Sequence, residues 1–319
     1  MSAATLKFPK LNEIHAAANA LAPYVVRTPL LRLNGYDGPS DIFLKLENLQ
    51  PIGVFKVRSM GYAMLTAGED ALHHGVYTAS SGNAGLGLAW MAQKLGFPAT
   101  VYAPDSAPQA KLDAVRQFGA TVRVLDQEQW WQIIESGAHP DDPGLYVDAV
   151  RSPAALAGNA TIGLEIAEDL PDVDTVIVPF GGGGVACGIA SAFRAHKPDT
   201  RLIVAESEAA TPVTAALAAG RPVPVTMEPS FISGAGAPFV LSEMWPLVSN
   251  LVDGTLVSTV PEVAAAIKRL FENNRVVAEG AGAISVAGAV GNKQGTGKTV
   301  CVVTGGNIDK DVMAKILRE

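Results

Sequence analysis

The 319-residue chain is short of positive charge: 24 lysines and arginines face 31 aspartates and glutamates, for a formal charge of −7 and a pI near 5.3. Binding DNA or RNA by phosphate neutralisation needs a basic face, and no basic cluster occurs, so nucleic-acid partners are excluded. Cysteine is nearly absent. Cys187 and Cys301 lie in apolar stretches without His or Cys at ligand spacing, which predicts buried thiols in a reducing compartment and no disulfide. No run reaches the roughly 18 apolar residues of a membrane helix, because Gly, Pro and charges interrupt the most apolar parts. Met1 to Lys10 lacks the charged start, apolar run and cleavage site of a secretory signal, so the expectation is a cytoplasmic protein.

What the chain has is 48% hydrophobic residues, 32 glycines and 21 prolines, a balance that suits an α/β protein with many tight strand-to-helix turns. Strands are predicted at 42–46, 75–79, 99–103, 121–125, 175–179, 202–205, 255–257 and 299–303. They alternate with helical patterns such as 11–21, 56–66, 85–95, 108–118 and 261–273, as in parallel sheets covered by helices. The Gly137–Gly144 stretch, rich in turn formers, reads as a domain boundary.

Four segments carry residues suited to chemistry at an amine, an anion or a phosphate. The polar stretch Lys45 to Arg58 presents Lys56 at a helix start, beside unpaired amides and the positive end of the dipole. Both depress an amine's pKa, as a Schiff-base lysine requires, although an ordinary surface lysine fits the same local sequence. Ser80-Ser81-Gly82-Asn83-Ala84 follows a strand and opens a helix, so its amides can meet an anion such as a carboxylate; a helix-capping turn looks similar. Gly181-Gly182-Gly183-Gly184 lets the backbone wrap a phosphate closely, at an entropic cost that a purely structural turn would avoid. Thr304-Gly305-Gly306 ends the last strand, where parallel sheets bind ligands.

The glycine loop also fits a dinucleotide fingerprint, Gly181-x-Gly183-x-x-Ala186, with Glu206 downstream to hold a ribose, so a nicotinamide-dependent oxidoreductase is the competitor from another class. Gly295-Thr296-Gly297-Lys298-Thr299 ends like a P-loop but has Asn292 where the first glycine belongs, and reads as a turn.

In this order, the four segments resemble the threonine and serine dehydratases, and with them serine racemase, of the fold-type II pyridoxal phosphate enzymes. The resemblance runs from Arg27-Thr28-Pro29-Leu30 to Gly305-Gly306-Asn307, nearly the whole chain. It implies a two-domain α/β architecture of the tryptophan synthase β type, with parallel-rich sheets flanked by helices. Residues 1–72 and 150–319 would form the large domain and 73–149 the small one, in a homodimer. Lys56 would hold pyridoxal 5'-phosphate and shuttle the Cα proton, with Phe55 packed beside the cofactor. Ser80, Ser81, Gly82, Asn83 and Ala84 would bind the substrate carboxylate, and Asn83 would also reach the ring hydroxyl. Gly181, Gly182, Gly183 and Gly184 would cradle the phosphate, Thr304 would face the pyridine nitrogen, and Glu279 would line the far side.

The implied reaction is ammonia-lyase chemistry: an L-3-hydroxy amino acid (threonine, serine or an analogue) goes to a 2-oxo acid and ammonia. Amino acid racemisation, with Ser81 as the acid/base on the second face, is the alternative on the same scaffold. A hydroxyl at Thr304 would not keep the ring nitrogen protonated, which favours β-elimination over transamination.

Departures fall where substrate choice is made. Val54 and Ser59 stand where the family usually has serine and glycine, and Ile232 to Gly236 replaces a frequent Ala-Asp-Gly, so the substrate need not be plain threonine. Glu206 and the backbone of Ala210 match the family's divalent-cation site, with Pro212 at its second acidic position, which leaves a cation possible. The chain ends soon after Asp309, so no regulatory domain or amino acid feedback is expected.

Overall fold

The computed structural model describes residues 6–292 and 296–319; the first five residues of the N-terminal segment and Gly295 of the P-loop lookalike lie outside them. The described strands form two sheets. The larger has the spatial order β1 (Leu30–Arg32), β2 (Ser40–Lys45), β10 (Gly297–Val302), β7 (Thr175–Pro179), β8 (Arg201–Ser207) and β9 (Gly254–Ser258). It is parallel except for β1, which runs antiparallel to β2 at the edge. The smaller sheet, β5 (Thr121–Leu125), β4 (Ala99–Pro104), β3 (Val76–Ala79) and β6 (Leu145–Tyr146), is wholly parallel. The unbroken apolar runs explain the centre of the large sheet, since Val176, Ile177 and Val178 are buried on both faces.

Helices α1 (Leu11–Leu21), α2 (Lys56–Ala67) and the one-turn α3 (Glu69–Leu72) precede the small sheet, which carries α4 (Asn83–Leu95), α5 (Gln109–Gln117) and α6 (Gln127–Ser136). Then follow α7 (Pro153–Asp169), α8 (Gly184–His196), α9 (Pro212–Ala219), α10 (Trp245–Leu251), α11 (Val260–Arg269), α12 (Gly280–Gly291) and α13 (Lys310–Arg318). Local sequence fixes several starts. Asp126 and Ser152 accept from the amides of Gln129 and Ala155, and Thr259 and Glu262 form a reciprocal capping box. The helical pattern predicted to reach Asn273 ends as α11 at Arg269 and continues as a wider π turn over Leu270–Asn274.

The Gly137–Gly144 stretch leads into β6, which pairs with β3, so this loop is internal to the small layer. In the large layer α7 packs on α8 and α2; a Cβ at Gly163 would lie 2.8 Å from the carbonyl of Ile189, so the two helices can approach this closely only with glycine there. Among the described residues no helix is long and apolar enough to cross a membrane.

Candidate functional site

The site is assembled where loops leave the carboxyl ends of parallel strands in both sheets. The segment before α2 is stitched to the segment after β10: Phe55 N–H donates to Thr304 O at 3.0 Å, Gly306 N–H to Gly53 O at 2.9 Å, and Val54 bridges Gly305. Lys56, the first residue of α2, is thereby set beside Thr304 although the two are far apart in sequence. Its ammonium lies 4.8 Å from the centroid of the Phe55 ring. Burial strips water from the amine and brings its pKa down to about 8, against the opposing pull of the Asp148 carboxylate.

Facing Lys56 is the loop from β7 to α8. Gly183 adopts φ +93°, a left-handed conformation that favours glycine. A Cβ at Gly181 would lie 2.7 Å from Gly234 O, one at Gly182 2.7 Å from the Val150 side chain, and one at Gly184 2.9 Å from Ala149 O. Any side chain would run into these neighbours, so the loop stays bare of side chains at the amino end of α8, where unpaired amides favour an anion. Phe55, Lys56, Asn83, Thr304 and the four glycines line one cavity. The Thr304 hydroxyl is buried there and donates only a long bond, 3.3 Å, to Ala281 O.

Between this cavity and a second one of about 380 Å³ stands a polar ring. Asn83 Nδ2 donates to Glu279 Oε1 at 2.6 Å, and Asn83 Oδ1 accepts from Asn307 Nδ2 at 3.1 Å. Burial pushes the Glu279 carboxyl up to about 7, although Lys111 and Asn83 pull it back. Glu279 Oε2 has no hydrogen-bond partner, and Lys111 Nζ lies 3.9 Å from it while donating to Ser233 Oγ at 3.0 Å. Ser80 Oγ accepts from Gly82 N–H at 3.1 Å and so shapes the turn, while Ser81 is exposed and Ala84 half-buried, and none of the three lines either cavity.

A family model for pyridoxal-phosphate dependent enzymes matches residues 21–305. The chain belongs to that family. The enzyme is 36% identical over 311 residues to the L-threonine ammonia-lyase of Geobacter sulfurreducens, across 95% of this chain and 77% of that protein. It is 30% identical over 313 residues to the serine racemase of Oryza sativa subsp. indica, across 95% of this chain and 92% of the other. The structure of maize serine racemase matches with a TM-score of 0.87 at 28% identity, over 98% of both chains. The expected fold class is therefore the observed one, and the family's cofactor is pyridoxal phosphate. The residues present fit it: a lysine of depressed pKa, a glycine cradle that a Cβ would fill, and a buried hydroxyl opposite.

Two other readings of this pyridoxal-phosphate dependent enzyme turned on Glu206. Its Oε1 accepts from Val213 N–H at 2.7 Å, and its Oε2 from the amide and hydroxyl of Thr214 at 2.9 and 2.6 Å. The carboxylate caps α9 and holds no free oxygen toward a ribose above the glycine loop. The same bonds occupy the side chain matched to a cation site, where the amide of Ala210 donates to Ser207 O. Among the described residues no group of three or more His, Cys, Asp or Glu is placed to hold a metal.

Sequence reasoning missed Lys111, Asn307 and Asp148. Asn307 stood within a motif already singled out, and Lys111 lies in the first turn of α5, in a segment with no glycine-rich signal to draw attention to it.

Proposed function

We propose that the enzyme is an ammonia-lyase that converts an L-3-hydroxy amino acid to a 2-oxo acid and ammonia, as a cytoplasmic homodimer with domains at 1–72 plus 150–319 and 73–149. The observation that carries this reading is the Lys56 amine, with its pKa near 8, set between a phosphate-shaped glycine cradle and the anion-binding turn at Asn83. Bound pyridoxal phosphate supplies an electron sink for the pair left at Cα when its proton is removed.

The chain's own residues do the rest. The amides of Gly181 to Gly184 would hold the phosphate, and Thr304 would offer the ring a hydroxyl without the charge that a carboxylate would bring. Phe55 and Asn83, in the same cavity, would help to hold the ring. The turn at Ser81 to Ala84 would bind the substrate carboxylate through Gly82 and Asn83, the two of its residues that line a cavity, with Lys111 adding positive charge. Lys56 Nζ takes the Cα proton, and Glu279, whose carboxyl exchanges its proton near neutral pH, can hold one beside the departing hydroxyl. The enamine product takes up water and loses ammonia.

The similarity to serine racemases, and a serine at position 81, support racemisation as the second reading. One assay separates them: with a panel of L-3-hydroxy amino acids, 2-oxo acid and D-isomer are measured together. Dominant 2-oxo acid is expected; dominant D-isomer that disappears in Ser81→Ala makes the enzyme a racemase.

The depressed pKa of Lys56 gives a pH dependence of its own. Capture of the cofactor needs the neutral amine, whose fraction grows about tenfold per pH unit below the pKa and saturates above it. The rate at which apoenzyme captures pyridoxal phosphate, followed by absorbance, is therefore expected to rise steeply from pH 6 and level off near pH 8. A rate still climbing beyond pH 9.5 would mean an ordinary, solvated lysine.

A further inference from the structure

The 380 Å³ cavity beyond the polar ring is continuous with the carboxylate turn at Gly82 and Asn83 and shares Glu279 with the cofactor cavity. A threonine methyl occupies little more than the roughly 30 Å³ of a water molecule, whereas cavities from about 300 Å³ upward accept much larger groups. Most of the wall surface is apolar, from Leu86 on α4, Ala110 and Ala114 on α5, Phe231 in the loop before Ser233, and Ile308 and Val312 at α13. Ala110 and Ala114 are four apart on one helix, so both small side chains fall on the same face and together leave the space open. The cavity is not a gaping cleft between the sheets. Lys111 Nζ crosses it to Ser233 Oγ at 3.0 Å, and Asn83 crosses to Glu279 at 2.6 Å.

Charge narrows the class further. Lys111 is the one Lys or Arg among the lining residues; it already faces Ser233 and Glu279, and on the ammonia-lyase reading it would also face the substrate's α-carboxylate. Asp309 also lines the cavity, so a second carboxylate on the substrate would meet a carboxylate and no further cation. We propose that this cavity takes the substrate side chain, and that the preferred substrates are 3-hydroxy amino acids carrying a bulky, aromatic-sized apolar group on Cβ. The inference rests on the ammonia-lyase reading above. For 3-phenylserine the Cα proton is lost, the Cβ–O bond breaks with release of water, and one water is consumed in freeing ammonia, leaving phenylpyruvate.

The test uses cofactor-loaded enzyme with L-3-phenylserine, L-threonine, L-serine and L-3-hydroxyaspartate. The value of kcat/KM for phenylserine is expected to exceed that for threonine at least about tenfold, consistent with the discrimination apolar pockets achieve. Ala114→Phe, which fills the cavity, is expected to lower the phenylserine-to-serine ratio of kcat/KM tenfold or more. Ala110→Leu on the same wall decides the point if the first variant fails to fold. A readout without turnover is the thermal-shift dissociation constant of L-phenylalanine, expected about tenfold below that of L-alanine. Threonine or 3-hydroxyaspartate preferred over phenylserine, equal affinities for the two ligands, or a ratio unmoved in folded variants would overturn the substrate class and leave the lyase standing. Formation of no 2-oxo acid from any of the four would remove the lyase reading itself, and this inference with it.

Discussion

Lys56→Ala is expected to leave a protein that shows no covalently bound cofactor and turns over substrate at least about a thousandfold more slowly, the upper part of the range for losing a positioned proton-transfer group. On the proposed reading, the deletion removes both the covalent anchor and the base that would move the Cα proton. It leaves the glycine cradle, so free pyridoxal phosphate can still occupy the site reversibly. The discriminating measurement is borohydride reduction followed by dialysis: the wild type should retain the reduced chromophore on the peptide containing Lys56, and the variant should retain none. Stability should change little, because no hydrogen bond or ion pair of the Lys56 amine occurs among the described residues and its burial disfavours its charged form. A variant that keeps its colour after reduction would place the cofactor on another lysine.

Arg58→Met should act in the opposite way, through stability first. Arg58 is the largest fully buried side chain, and its guanidinium binds Glu47 at 2.8 and 2.9 Å and Glu165 at 2.7 and 3.0 Å. Lys45 Nζ completes the group through Glu165 at 2.5 Å and Thr28 O at 2.7 Å, and Thr28 Oγ1 donates to Glu47 at 2.7 Å. The two positive and two negative charges balance. Removing one leaves Glu47 buried without a cationic partner at hydrogen-bond distance, which costs about 3–5 kcal/mol and should lower the midpoint of thermal unfolding by something on the order of 10 °C.

Burial alone would raise the Glu47 pKa, but Arg58 outweighs it and the net shift is downward. A carboxylate held low contributes stability above its unfolded pKa and loses it as pH falls through the folded value. The gap between wild type and variant should therefore narrow on acidification through that range. A gap that is constant with pH would show that packing, and not charge pairing, carries the effect.

Much of the fold is legible in the sequence because surface helices keep a polar side and the central strands of the large sheet are short, unbroken apolar runs. The apolar pattern of 11–21 marks α1, and the valine- and isoleucine-rich run at 175–179 marks β7. Elements without that contrast were harder to read. Helix α7 is buried along almost its entire length and α12 is a Gly- and Ala-rich helix buried all round, so neither shows an amphipathic stripe. β6 is two residues long and exists only because β3 offers it an edge. The glycine loop carries a local signal of its proposed chemistry, and Lys56 stands in a segment that the other motifs single out. Lys111 has no such signal, since its meaning depends on Glu279 and Ser233 reaching it from the other layer. Glu206 was misleading for the converse reason: its spacing from the glycine loop suits a ribose, but the amides of α9 claim it in the folded chain.

The position of β10 also bears on how the enzyme is made. This last strand lies between β2 and β7, and the residues just after it hold the backbone ahead of Lys56. A nascent chain on the ribosome can form its small sheet early, but it cannot join the N-terminal strands to the rest of the large one until residue 302 has emerged. At the proposed site, loading of the cofactor would then wait until that strand has been made, and a chain terminated before it would be unable to sequester the cofactor.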